Sequence, residues 1–171
     1  NLDGQDQGSI CGHWVSIHAR AFTPVRDGGA IQTGEICSVE GTPMDLRKGQ
    51  CIGEEIDAEY IQLEVMGGYD HNFVCEDYEE GVKRVVACAR GPKSGITMEV
   101  ATDLPGMQFY TGNFLNGQVG KRGHVYHRRD GFCMETQYFP NSINEEDFGS
   151  PVLEAGHAYR TTTSYRFGVK G

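Results

Sequence analysis

Short apolar runs separated by glycine are the feature that most restricts how this chain can fold. The 171 residues include 24 glycines and 6 prolines, and these turn-forming residues recur along the whole chain. Runs of this length between turn signals are typical of strands, so the pattern predicts an all-β fold. The chain has one domain's worth of sequence and can bury a real core.

The clearest predicted strand covers residues 132–139, which are rich in aromatic side chains and are followed by Pro140. Side chains alternate between the two faces of a strand, so Cys133, Glu135 and Gln137 share one face. A carboxylate in an apolar strand is costly to bury without partners. Glu135 is therefore either a structural acid paired with an arginine or a group placed to accept a proton. From this stretch alone, the structural acid is favoured.

Other segments with alternating polarity predict further strands. Residues 82–90 and 95–103 are expected to form a hairpin, and 107–114 the strand that follows it. Additional strands are predicted at 13–20, 60–66 and 157–170.

A short helical segment is also expected within residues 45–56. Asp45 precedes it, and aspartate is a preferred residue at the start of a helix. The segment should hold one or two turns of helix with Asp45 as the N-cap.

Composition excludes several classes of function. The formal net charge is −9 and the isoelectric point about 5.1, which argues against a nucleic-acid binder because such a protein needs a basic face. The same charge argues, more weakly, against a sugar-phosphate substrate. No apolar stretch approaches the roughly 20 residues of a membrane span, so no membrane partner is expected.

The six cysteines occur singly, and none forms a Cys-x-x-Cys pair. A zinc site is therefore not expected, and no other metal is predicted. A chain of this size does not need disulfides to fold, so we expect free thiols and a cytoplasmic protein. The sequence also lacks a glycine-rich phosphate loop before a helix and a serine nucleophile elbow.

Three sequence blocks carry a resemblance to a known family. They are Gly-Gly-Tyr-Asp-His-Asn-Phe at 67–73, Gly-Met-Gln-Phe-Tyr-Thr-Gly-Asn-Phe at 106–114 and Gly-Phe-Cys-Met-Glu-Thr-Gln at 131–137. Shorter matches lie at 33–35 and 41–47. Together and in this order, the blocks resemble the aldose 1-epimerase (galactose mutarotase) family. The resemblance covers essentially the whole chain but only the C-terminal half of the family's usual length.

The first two residues resemble the end of the family motif His-x-Tyr-Phe-Asn-Leu. The resemblance therefore implies that residues 1–171 are the C-terminal part of a single aldose 1-epimerase domain whose N-terminal half is absent. The implied fold is part of a twisted antiparallel β-sandwich of the galactose mutarotase type. The missing half would be the partner of this chain.

The activity implied by the resemblance is interconversion of the α and β anomers of a free hexose such as galactose or glucose. The family opens and recloses the sugar ring by acid–base chemistry, without a cofactor or a metal. Glu135 matches the family's base, and the family's acid is the histidine of that motif, which would lie just upstream of Asn1. The chain alone is therefore expected to be inactive.

Two further residues are implied to contact the sugar. Asp70 matches an aspartate that binds sugar hydroxyls, although an aspartate after two glycines is also common in turns. Gln108 offers a donor and an acceptor, which suits a hydroxyl, although it could be an ordinary strand residue.

Two alternatives remain open at this point. One is a non-catalytic carbohydrate-binding domain, which would have no need of a base at Glu135. The other is a hexose 6-phosphate 1-epimerase of the same fold, which would need clustered arginines at the site.

Overall fold

Twelve strands provide most of the regular structure in the computed structural model, which describes residues 1–170. They form two five-stranded sheets and one two-stranded ribbon, and the pairings within these residues are antiparallel. The predicted all-β antiparallel fold is confirmed. No helix within residues 1–170 has the length and apolar character needed to cross a bilayer.

The first sheet has the order β12-β7-β6-β1-β4. Its strands are β1 (Trp14–Ile17), β4 (Gln50–Cys51), β6 (Arg84–Arg90), β7 (Ile96–Thr102) and β12 (Thr163–Val169). The second sheet has the order β11-β8-β5-β2-β3. Its strands are β2 (Ala19–Thr23), β3 (Cys37–Ser38), β5 (Asp70–Cys75), β8 (Gly106–Tyr110) and β11 (Cys133–Gln137). The ribbon pairs β9 (Gln118–Val119) with β10 (Val125–Tyr126).

The two large sheets share one hydrophobic core, as the layers of a sandwich do. Alternate residues of each sheet point into it, and these side chains are almost completely buried. The first sheet contributes Val15, Ile17, Ala87, Ala89 and Val100, and the second contributes Phe22, Phe73, Met107, Phe109 and Met134. The opposite face of the second sheet is therefore available for other roles.

The predicted hairpin of 82–90 and 95–103 is confirmed as β6 and β7. The strand predicted over 13–20 is wrong as a single element, because the chain passes from the first sheet to the second at His18. His18 donates its backbone N–H to the Val86 carbonyl, which holds this crossing in place. The predicted long strand at 157–170 is formed only over its last part, as β12.

The strand predicted over 60–66 is also wrong, because Ile61–Met66 forms an α-helix, α1. Leu63 and Met66 lie three residues apart and both are buried, which is a helical spacing. Gly67 ends the helix with φ of 65°, and its N–H donates to carbonyls of the last turn. In so short a segment the apolar positions fit a strand as well as a helix, and the glycine cap decides between them.

The helix predicted within 45–56 is wrong in position. Asp45 accepts a hydrogen bond from the Arg47 backbone and pairs with its guanidinium group, so it stabilises a turn instead of capping a helix. The only helical turn of this segment is the 3-10 turn Ile52–Glu54, after β4.

Candidate functional site

Three neighbouring strands of the second sheet bring the predicted site residues together. In the β11–β8 pair Glu135 lies opposite Gln108, and in the β8–β5 pair Gln108 lies opposite Asn72. Asp70 lies opposite Tyr110, one step along the same face. Directly opposed residues share a face in an antiparallel sheet. Asp70, Gln108 and Glu135 therefore project from one face.

That face points away from the sandwich core because the alternate residues are the ones that fill the core. Met134, Phe109 and Phe73 are almost fully buried on the inner face. His71 is also fully buried there, beside Phe22. Apolar side chains in every second position thus fix the polar ones toward solvent.

A shallow cavity of about 270 Å³ lies over this face, and we call it the site depression. Its lining comes from the three strands and from three loop segments that border them. The lining residues are Ala30, Gln32, Asp70, Gln108, Tyr110, Phe114, Glu135, Gln137 and Pro140. Small-molecule sites usually measure about 300–1,000 Å³. The depression is smaller than this and open, so it corresponds to one side of a sugar site and not to a complete one.

Larger cavities lie elsewhere, and two of them have more than twice this volume. One of about 660 Å³ is bordered by the N-terminal loop and residues of the segment 115–131, and one of about 710 Å³ lies on the first sheet beside Trp14. Neither is lined by Asp70, Gln108 or Glu135. Their volumes do not make them better candidates, because the groups suited to acid–base work on a hydroxyl converge on the site depression.

Asp70 and Gln108 are joined directly. The Gln108 amide donates from Nε2 to Asp70 Oδ1 over 2.7 Å. Burial raises the pKa of the Asp70 carboxyl, the hydrogen bond from Gln108 opposes that rise, and the negative charge of Glu135 adds to it. Asp70 and Glu135 line the same depression, so their negative charges repel one another.

Glu135 is exposed to solvent at the edge of the sheet. Within residues 1–170, no lysine or arginine lies at ion-pair distance from its carboxylate. The salt-bridged structural acid is therefore not formed by the described part of the chain. A carboxylate held at a strand edge without an ion-pair partner is able to accept a proton.

Sequence reasoning missed two residues that bind this cluster together. Gln137 donates from Nε2 to Asn72 Oδ1 over 3.0 Å and to Gln108 Oε1 over 3.1 Å. The signal was present, since Gln137 follows Glu135 by two residues and Asn72 follows Asp70 by two. Period-2 alternation puts each of them on the site face.

Gln32 is a third missed residue, and no alternating pattern indicates it. It comes from the irregular arm after β2, is 2% exposed and lines the site depression. The arm folds back so that Gln32 pairs with Val25, and the Gln62 side chain of α1 bonds both backbone groups of Val25. The helix that the sequence did not predict thus helps to place one side of the depression.

Histidine does not line the depression within residues 1–170. His71 lies on the core side, and burial lowers its pKa to about 4. Its Nδ1 accepts the backbone N–H of Asp70 over 3.1 Å, which helps to fix Asp70 in place. His71 is therefore neutral near pH 7 and faces away from the depression.

The N-terminal residue lies near the same face. Asn1 lines a cavity together with Asp130 and Gly131, which come shortly before β11. Cys133 precedes Glu135 by two residues and shares its face. The start of this chain is thus close to the N-terminal end of β11, and Glu135 lies at the centre of that strand.

All six cysteines are free thiols in the structure. Within residues 1–170, no group of three or more histidine, cysteine or acidic side chains is arranged to hold a metal ion.

The sequence profile described as Aldose 1-epimerase matches residues 1–166. The chain belongs to the aldose 1-epimerase family. It is 44% identical over 170 residues to galactose mutarotase from Sus scrofa and 41% identical to that from Homo sapiens, covering 99% of this chain and 47% of each relative. It is 34% identical over 169 residues to aldose 1-epimerase from Escherichia coli, covering 98% of this chain and 48% of the relative. The chain spans about half the length of the curated relatives it matches.

Solved structures of the family share its fold. An aldose epimerase homologue from C. elegans superposes with a TM-score of 0.83 at 26% identity, covering 100% of this chain and 49% of the other. Galactose 1-epimerase from Lactobacillus acidophilus superposes with a TM-score of 0.74 at 20% identity, covering 95% and 46%. The predicted galactose mutarotase type of sandwich is confirmed.

Proposed function

We propose that this chain is the C-terminal part of a single aldose 1-epimerase domain that interconverts the α and β anomers of a free aldohexose. The observation that carries the proposal is the placement of Glu135, Gln108 and Asp70 on one face of three adjacent strands. All three line one depression, and Glu135 has no ion-pair partner in residues 1–170. The names of the relatives indicate galactose as the first sugar to test.

Glu135 acts as the general base in this proposal. It removes the proton from the anomeric hydroxyl while an acid protonates the ring oxygen, and the ring opens to the aldehyde. Rotation about the C1–C2 bond and reclosure then give the other anomer, with the two protons returned. Each transfer needs a group within hydrogen-bond reach of the proton, and the exposed Glu135 carboxylate can be approached from the depression. The reaction as proposed uses no cofactor and no metal.

Asp70 and Gln108 hold the sugar hydroxyls. Asp70 Oδ1 already accepts from Gln108, so its second oxygen is the one that can accept from a hydroxyl. The Gln108 amide retains one N–H for donation. A donor and an acceptor side by side match a hydroxyl, which does both.

The general acid and the remaining sugar contacts come from an N-terminal half outside this chain. The depression has no histidine within residues 1–170, and its volume of about 270 Å³ is smaller than that of a complete site. Asn1 lines a cavity with Asp130 and Gly131, shortly before the strand that carries Glu135. A segment joined to Asn1 would therefore enter the site next to the base, which suits a histidine a few residues upstream.

The two alternatives are less well supported. A hexose 6-phosphate epimerase would need basic side chains for the phosphate, and the lining of the depression within residues 1–170 includes no lysine or arginine. A carbohydrate-binding domain without activity would gain nothing from an unpaired Glu135. We also propose the cytosol as the compartment, since free thiols persist where the environment is reducing.

The test is Glu135→Gln in the protein that contains both halves of the domain. The substitution keeps the shape and removes the proton acceptor, so kcat for galactose mutarotation should fall by about 100-fold or more. Polarimetry on freshly dissolved α-galactose measures the rate.

Glu99→Gln is the matched control, because Glu99 is a strand glutamate on the other sheet, paired with Arg166. It should leave kcat unchanged. Near-normal kcat in the Glu135→Gln protein would assign the base to another residue.

A further inference from the structure

One side chain that the proposed reaction does not use is joined by hydrogen bonds to both Gln108 and Asn72 and, through Gln108, to Asp70. Gln137 spends both of its amide hydrogens, one on Asn72 Oδ1 and one on Gln108 Oε1. Gln108 in turn donates to Asp70 Oδ1, and Asn72 donates to Thr23 Oγ1 over 3.3 Å. The result is two short branches of hydrogen bonds, and in both of them each donor lies closer to Gln137 than its acceptor does.

This direction fixes which way the Gln108 amide points. A side-chain amide has an acceptor oxygen and a donor nitrogen that can exchange places by a rotation about χ3. If Gln108 turned over, its oxygen would face the Asp70 carboxylate and its nitrogen would face the Gln137 nitrogen. Both new contacts would oppose like groups, so the Gln137 donor and the Asp70 carboxylate together hold Gln108 with its N–H toward Asp70.

The sheet is built to accommodate these hydrogen bonds. Gln137 lies opposite Gly106 on β8, so no neighbouring side chain occupies the space that its amide crosses. A Cβ at position 106 would lie 2.4 Å from Asn72 Oδ1 and 2.9 Å from a ring carbon of Phe139. Gly106 therefore leaves room for the Asn72 amide to meet Gln137.

We propose that Gln137 is a positioning residue that orients Gln108 and thereby keeps Asp70 a hydrogen-bond acceptor for a sugar hydroxyl. The inference rests on the proposed sugar-binding roles of Asp70 and Gln108. Gln137 acts through Gln108 in this account and is not itself a catalytic residue.

The chemical consequence concerns the proton on Asp70. Burial and the charge of Glu135 both raise the pKa of Asp70, and the hydrogen bond from Gln108 is what opposes them. Without Gln137 that bond is no longer enforced, so the pKa of Asp70 rises further. A protonated Asp70 has lost a charged acceptor, and sugar binding weakens over a wider range of acidic pH.

The experiment uses Gln137→Met and Gln137→Glu in the protein with both halves, with galactose as the probe. Met keeps the length of the side chain and removes the amide. We expect KM to rise about tenfold, the loss of one hydrogen bond to a charged group, with kcat within threefold of wild type. The acidic limb of the kcat/KM profile should move to higher pH.

Gln137→Glu should have the larger effect on KM. A carboxylate accepts but does not donate, so it would draw the Gln108 nitrogen toward itself and turn the oxygen to Asp70. This variant keeps the size of the side chain and changes its amide to a charged acceptor, so it carries the test if the methionine variant does not fold. Thr136→Val, on the opposite face of β11, is the control and should keep the wild-type KM and pH profile.

The outcomes separate this inference from the proposed function. Wild-type KM and an unmoved acidic limb in both Gln137 variants would overturn the positioning role. If those results accompany a large loss of kcat in Glu135→Gln, the proposed function stands and only the role of Gln137 fails. If Glu135→Gln is fully active, the proposed function fails first.

Discussion

The two edge strands β11 and β12 lie across from each other in the sandwich and expose opposite kinds of surface. The Thr136 and Thr163 hydroxyls meet between them, and the Tyr165 hydroxyl donates to the Met134 carbonyl. From β11 the exposed side chains are Cys133 and Glu135. From β12 they include apolar groups, with Tyr165 45%, Phe167 62% and Val169 76% exposed.

The apolar residues of β12 lie on the inner side of their sheet. Tyr165, Phe167 and Val169 stand opposite Val100, Met98 and Ile96 on β7, and Val100 is fully buried in the core. Side chains on the core face of a sandwich are normally covered by the other sheet. β12 thus carries inner-face residues beyond the area that the second sheet covers.

The comparison separates two reasons for exposing a strand edge. On β11 the exposed groups are polar and adjoin an ordered hydrogen-bond network, as expected where a ligand binds. On β12 they are apolar and uncovered, as expected where more protein packs, since large apolar patches mark interaction surfaces. Under the proposed function, one N-terminal half would complete the sugar site at β11 and cover β12.

Among tests of the difference between the polar surface at β11 and the apolar surface of β12, Asp70→Asn has the largest expected effect. The variant removes the charged acceptor, so KM for galactose should rise by about 10- to 100-fold in the protein with both halves. The wild-type KM should itself depend on pH. Because the folded pKa of Asp70 is raised, its carboxylate is protonated as pH falls through that value, and KM should increase there.

In the Asp70→Asn protein this acid-dependent rise in KM should be absent. Steady-state kinetics measure both effects, over a range from about pH 4, near the ordinary pKa of a carboxyl group, to about pH 8. Asp147→Asn, at an exposed position outside the depression, is the control. An unchanged KM in Asp70→Asn would contradict the proposal that the polar face of β11 and its neighbours binds the sugar.

Phe167→Asp tests the apolar half, with a smaller expected effect. In residues 1–171 alone, the uncovered face of β12 should drive self-association, and a charge at its centre should weaken that association about tenfold. Sedimentation velocity over a concentration series measures the association constant. Val119→Asp, which is equally exposed but lies on the β9–β10 ribbon, should have little effect. A wild-type fragment that stays monomeric would contradict the interpretation of β12.

The part of the fold that could be predicted from sequence is the part with clean period-2 alternation. β8 and β11 follow such patterns, and their polar positions place Gln108 and Glu135 on one face. The link between them and Asp70 depended on the family resemblance, because the pairing of β5 with β8 brings together residues far apart in the chain. Alternating polarity shows which face of a strand a residue lies on, but it does not show which strands pair.

The remainder was hidden by patterns that fit more than one structure. Residues 13–20 alternate without interruption although they belong to two sheets, since each strand continues the same face pattern through the crossing. Residues 60–66 satisfy both periods, and α1 follows from the glycine at its end. Gln32 reaches the site from an irregular arm whose course depends on the Gln62 contact with Val25.

Reconstitution from two pieces tests whether this chain supplies the base of a site that an N-terminal half completes. Residues 1–171 would be mixed with a separately produced N-terminal piece that ends in the His-x-Tyr-Phe motif, and mutarotation of α-galactose would be followed by polarimetry. We expect that neither piece accelerates the reaction alone, that the mixture does, and that a mixture containing Glu135→Gln does not. Catalysis by residues 1–171 alone, or full activity in the Glu135→Gln mixture, would contradict that expectation.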